Sequence, residues 1–168
     1  MQRMMKTGAA TLLVLCAVLS LSACAKKSSD DTTDVGKAFL AQNAKAPGIH
    51  ITASGLQYRI LQSGPANGLR PRPADEVKVN YEGKLLDGVV FDSSYQRGEA
   101  VVMTVRDLVP GWVEALQMMR PGDQWLLYVP ASLGYGEKGA GPIPPNSVLV
   151  FKLELIAVAP DQGSIGKG

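Results

Sequence analysis

Residues 108–119, LVPGWVEALQMM, form the one stretch in the second half of the chain that reads as a helix with an apolar face. Trp112, Ala115, Leu116 and Met119 fall at i, i+3, i+4 and i+7. Most of the ordered pattern around it has the period of a strand. VKVNY turns Val77, Val79 and Tyr81 to one side and Lys78 and Asn80 to the other. Asp87-Gly88 marks a tight hairpin turn into VVF. AVVMTV at 100–105 and QWLLYV after Pro121-Gly122-Asp123 are further strands, as are GIHIT and GLQYRIL on either side of Ser54-Gly55. The last, VLVFKLEL, sets Phe151, Leu153 and Leu155 against Lys152 and Glu154. One short helix among many strands implies an α+β domain, with a twisted antiparallel sheet of five to six strands wrapped around the helix. Trp112 would then be a core residue or, because the helix is so short, also the floor of a pocket.

The 168-residue chain is 46% hydrophobic, enough to bury a core. Its first 23 residues are expected to leave. Arg3 and Lys6 precede the apolar run 8–23, which is shorter than the ~20 residues of a spanning helix. Basic flank, short apolar core and small residues at the end mark an export signal. Leu21 to Cys24, LSAC, resembles the lipobox of bacterial lipoproteins. That resemblance implies acylation of Cys24 and its exposure as the first mature residue. An ordinary signal is the alternative, since Ala23-Cys24-Ala25 is itself an A-x-A site. Cys16 leaves with the signal, so no structural disulfide is expected afterwards. Removal of Arg3 and Lys6 leaves 15 of the 17 basic residues against 15 acidic ones. A neutral body gives no reason to expect nucleic acid as a partner.

The expected organisation is a signal peptide at 1–23, a tether at 24–47, a folded domain at 48–160 and a flexible tail at 161–168. AKKSSDDTTD, 25–34, has the composition of a tether. VGKAFLAQNAK, 35–45, predicts one short helix, marginal in isolation and ended by Pro47-Gly48.

Several chemistries are disfavoured. His50 is the only histidine and falls in an edge strand, which removes His-based triads and most zinc sites. GYGEKG, 134–139, matches a dinucleotide fingerprint, but GPIPP follows it where a helix should start. No acidic pair stands out. Neither metal nor cofactor is expected.

VNYEGKLLDGVVFDSS, LVPGWVEALQMMRPGDQWLLYVP and GYGEKGAGPIPPNSVLVFKLEL together resemble the FKBP family of peptidyl-prolyl cis/trans isomerases, in order from Val77 to Ile156. The upstream stretch GKAFLAQNAKAPGIHITASGLQYRIL resembles the segment joining helix to catalytic domain in envelope members of the macrophage-infectivity-potentiator type. The resemblance implies an aromatic-lined proline pocket at Tyr81, Phe91, Val109, Trp112, Ile143 and Phe151. It implies Asp92 beside the reacting carbonyl, with Arg97 and Tyr81 as partners, and Tyr135 as hydroxyl donor to the peptide. The Val109 N–H would serve the next carbonyl, and Leu108 the rim. Proline-containing polypeptides and the family's macrolide inhibitors are the implied ligands. The implied location is the periplasmic face of the outer membrane, reached through the lipid anchor.

Three departures from the family pattern matter, the first being a loop from Tyr135 to Ile143 that is shorter than in small cytosolic members. Val101 or Met103 stands where many members carry a phenylalanine. The long helical dimerisation arm is not found, which implies a monomer. Each site residue also has a plainer role: Trp112 and Phe151 as core, Tyr81 as the cap of a strand, Asp92 as a turn residue. The joint match favours turnover over the rival function, a proline-binding folding helper or adaptor with little catalysis.

Overall fold

The computed structural model describes residues 29–161 and Gly163. Cys24 and Cys16, with the expected signal peptide, lie outside the described residues.

The centre of the fold is the long strand β3 (Glu76–Leu85), whose alternation buries Val77, Val79, Tyr81 and Gly83. Three antiparallel partners share it. β7 (Leu149–Ala159) runs along its whole length, from Glu76↔Ala159 to Leu85↔Leu149. On its other edge, β5 (Val101–Thr104) takes the first half, and β4 (Val90–Ser93) takes the second. β6 (Gln124–Val129) pairs with β7, β2 (Gln57–Gln62) with β6, and the two-residue β1 (His50–Ile51) with β2. The order is β1-β2-β6-β7-β3-β4, with β5 beside β3. The sheet thus has seven strands where five to six were expected.

The helix α3 (Pro110–Met118) begins with a proline at its first turn, where the missing N–H is no loss. Trp112, Ala115, Leu116 and Met119 are all buried, as their spacing requires. They form one core cluster with Trp125, Leu127 and Val129 of β6, Leu149 to Leu155 of β7, and Val77 to Tyr81 of β3. Gly111 stands where a Cβ would meet Val129 Cγ1 at 2.8 Å, so the helix can lie close on β6.

Two further helices depart from expectation. A single-turn helix α2 (Ser94–Arg97) follows β4, capped by the Ser93 side chain, which accepts from Gln96 N. The N-terminal helix α1 spans Ser29–Asn43 rather than 35–45, so it takes in part of the expected tether. The added stability comes from docking, which local composition does not report. Phe39 meets Tyr128 with ring centroids 5.8 Å apart, and Asn43 Nδ2 donates to Gln57 Oε1 at 2.8 Å. Gln57 Nε2 in turn donates to the Leu40 carbonyl at 2.9 Å. No helix among the described residues is long and apolar enough to cross a membrane.

Leu116, fully buried under the sheet, provides a test of this packing. Leu116→Ala is expected to lower stability in urea unfolding by about 2–5 kcal/mol. The exposed Val102→Ala should change it by no more than about 0.5 kcal/mol. Comparable losses at both positions would contradict the layer order.

Candidate active site

The N-terminal end of α3 and the inner face of β3, β4 and β7 enclose an open cleft of about 240 Å³. Its floor is built from four rings, each set edge-on to the next. Trp112 meets Tyr81 at 5.1 Å and Phe151 at 5.2 Å, both with interplanar angles of 83°. Phe91 meets Phe151 at 5.6 Å and 89°. Edge-to-face pairs of this kind add about 0.5–1.5 kcal/mol each beyond burial. The arrangement depends on Gly83, two residues beyond Tyr81 on the same face of β3. A Cβ there would stand 2.6 Å from Phe91 Cζ and 2.7 Å from Phe151 Cε1.

Asp92 lies on the wall, where β4 pairs with Gly83. Its carboxylate accepts from the Tyr81 hydroxyl at 2.5 Å and from Arg97 Nη1. Arg97 Nη2 donates to the Tyr81 oxygen at 3.1 Å, which closes the triangle. Behind it, the buried Ser94 hydroxyl accepts from Tyr81 N at 2.8 Å and donates to Asn80 Oδ1 at 3.1 Å, binding the start of α2 to β3. Partial burial opposes ionisation of Asp92. The hydrogen bonds from Tyr81 and Arg97, with the guanidinium charge, outweigh it and hold the carboxyl below its usual range. Burial, with Asp92 as acceptor, pushes the Tyr81 hydroxyl upward, so it remains a donor at neutral pH.

Leu108, Val109 and Met103 form the apolar rim, and Tyr135 and Asp107 stand at the mouth. Tyr135 is 40% exposed. Eight of the residues singled out from the sequence therefore line one cleft: Tyr81, Phe91, Asp92, Leu108, Val109, Trp112, Tyr135 and Phe151. Arg97 joins through its bonds to Asp92 and Tyr81. Ile143 does not line the cleft. Its N–H donates to Ala140 O at 2.9 Å and its carbonyl accepts from Ala140 N at 3.0 Å, and that turn leaves Ile143 buried with the core cluster. Of the two residues weighed for the missing phenylalanine, Met103 lines the cleft, while Val101 packs half-buried against the core. Sequence reasoning missed Asp107 and Gly83. A glycine at an inward strand position is a recognised mark of close approach. Asp107 carried no signal beyond its place before Leu108.

Two family models match the chain. That of the FKBP-type peptidyl-prolyl cis-trans isomerase covers residues 68–156, and that of the domain amino terminal to FKBP-type peptidyl-prolyl isomerase covers residues 5–60. The chain belongs to the FKBP-type peptidyl-prolyl cis-trans isomerase family. It is 50% identical over 123 residues to the peptidyl-prolyl cis-trans isomerase Mip of Coxiella burnetii, covering 73% of this chain and 53% of that protein. It is 44% identical over 133 residues to the outer membrane protein MIP of Legionella longbeachae, covering 79% and 56%. The crystal structure of FkpA from Escherichia coli superposes with a TM-score of 0.76 at 40% identity, over 80% of this chain and 62% of that one. A peptidyl-prolyl cis-trans isomerase from Pseudomonas syringae gives 0.73 at 34%, over 79% and 97%. The chain spans about half the length of the Mip relatives it matches.

The Asp92 cluster has a pH signature. A carboxyl that titrates lower in the fold than in the unfolded chain adds stability that is fully present above the unfolded value of 3.8. That stability is lost as pH falls through the lower folded value. The stability difference between parent and Asp92→Asn, from urea unfolding, should therefore be constant from about pH 7 to about pH 5 and shrink below about pH 4. A difference unchanged down to about pH 2 would rule out the charge-supported triangle.

Proposed function

We propose that this chain is a peptidyl-prolyl cis/trans isomerase that twists X–Pro bonds of extracytoplasmic polypeptides, tethered to the envelope through Cys24. The observation that carries the reading is the four-ring floor with the Tyr81–Asp92–Arg97 triangle on its wall.

The reaction breaks no bond. Amide rotation is opposed by a barrier of about 18–20 kcal/mol, because resonance holds the bond planar. The planar amide is the more polar form and water favours it. A proline ring seated on Trp112, between Phe91, Phe151 and Tyr81, takes its amide out of water, which favours the twisted form relatively. Tyr135 at the mouth is placed to donate to the peptide backbone. The Val109 N–H serves a neighbouring carbonyl, and both hold one side of the bond while the other turns. Asp92, kept ionised by Arg97, sits beside the rotating carbonyl. The rim of Leu108, Val109 and Met103 suits a bulky apolar residue before proline. The Asp107 and Asp92 carboxylates disfavour an acidic one. The family's macrolide inhibitors would occupy the same floor.

The test is a prolyl-peptide isomerisation assay with Leu–Pro and Glu–Pro substrates. Catalytic efficiency is expected to be higher for Leu–Pro and nearly flat from about pH 6 to about pH 8, since no group changes protonation in the cycle. Asp92→Ala and Tyr135→Phe should each reduce activity while changing stability by only about 1 kcal/mol. Full activity in both variants would overturn the residue roles. Binding of proline peptides without turnover would leave a folding helper instead.

The envelope location rests on the LSAC sequence and on the relative that bears the name outer membrane protein MIP. More than one acyl chain on Cys24 would give stable anchoring, at about 0.8 kcal/mol per buried CH₂. Ala25 after the cysteine fits outer-membrane sorting. Cell fractionation should find the parent in membranes and Cys24→Ser released to the soluble fraction. Equal solubility of the two would end the anchor proposal.

A further inference from the structure

The segment between β6 and β7 carries Tyr135, and we infer that the N-terminal helix α1 sets where that tyrosine stands in the cleft. The inference rests on the isomerase reading for its consequence, but not for its geometry. Tyr135 makes no side-chain hydrogen bond among the described residues, so its position is that of its backbone. That backbone is tied at two points. The N–H groups of its two neighbours, Gly134 and Gly136, both donate to the Ala131 carbonyl, at 3.0 and 2.8 Å. The Gly136 carbonyl accepts from Asn146 N at 2.9 Å. Asn146, with φ 57°, is the one non-glycine residue at positive φ among the described residues, a conformation asparagine tolerates better than most.

α1 lies against both ties. Gly36 and Leu40 share a groove of about 200 Å³ with Pro130, Ala131, Asn146 and Val148. At Gly36 the approach leaves no room for a side chain. A Cβ there would stand 2.8 Å from Val148 Cγ2 and 3.9 Å from the Asn146 carbonyl oxygen. Val148 is itself 4% exposed, with little freedom to give way. At its other end α1 is fixed through Asn43 and the Leu40 carbonyl to Gln57. The helix therefore acts as a backstop for the Asn146 arm, and the Asn146–Gly136 bond passes that position on to Tyr135. Gly36 is a positioning residue.

The test is Gly36→Ala in the full chain. Alanine is the better helix former, so α1 persists while the new methyl forces it off Val148. Catalytic efficiency for a Leu–Pro peptide should fall by about fivefold, the effect of one weakened hydrogen bond to substrate, and chiefly through KM. In a Tyr135→Phe background the same substitution should cost less than about twofold, because the bond it misplaces is already gone. Gly36→Ala with Val148→Ala, which removes the clash, should return to within about twofold of Val148→Ala alone. Amide exchange at Asn146, whose N–H donates to the Gly136 carbonyl, needs no turnover and should quicken by about tenfold in Gly36→Ala and slow again in the double variant. Equal losses with and without the Tyr135 hydroxyl, or unchanged exchange at Asn146, would overturn the inference. A parent chain without turnover would count against the isomerase reading alone, and the exchange data would then decide the positioning claim.

Discussion

The short helix α3 buries Trp112, Ala115, Leu116 and Met119 against β3, β6 and β7, and that burial organises the rest. Helix and sheet meet along one line, so the first large residue of the helix falls where the sheet begins to open. Trp112 packs its edges on Tyr81 and Phe151 and still borders the cleft. A longer helix would cover this opening, and a smaller residue would leave it without a floor. The site is thus a margin of the core, and its apolar character is inherited from folding.

The polar part of the site follows from β3 in a different way. Tyr81 points inward as the alternation demands, yet its hydroxyl extends to Asp92 on the neighbouring strand. Ser94, wholly buried, holds the same stretch of β3 from behind. Asp92 therefore sits on a frame whose parts are all either in the sheet or one turn from it. An aspartate so placed is held in one orientation by the fold itself. On the proposed function, preorganised charge of this kind would have no reorganisation cost at the moment of reaction.

Much of this was legible in the residues. Alternation in VKVNY and VLVFKLEL marked the central pair of strands, and the 3,4 spacing of the apolar residues in LVPGWVEALQMM marked α3. The resemblance supplied the identity of the cleft. Three features were not legible because they depend on contacts distant in sequence. The start of α1 lies in a segment whose composition is that of a tether, and only docking on Val148, Tyr128 and Gln57 makes it helix. Ile143 matched a pocket position in the family, but it packs with the core cluster and does not line the cleft. Gly83 was passed over, and its reason is two phenylalanine rings from other strands. Local pattern reports periods, while close approach is known only once the partners are in place.

The two tryptophans of the chain stand in unlike surroundings. Trp112 borders the cleft, whereas Trp125 is stacked on Tyr58 at 4.3 Å and 7°, with His50 stacked on the far face of the pair at 5.0 Å from Tyr58. On the proposed function, a peptide that enters the cleft would alter the field and solvation around one indole and leave the other as it was. Intrinsic emission from this protein therefore carries its own internal standard: one chromophore that reports occupancy and one that reports only whether the sheet is intact.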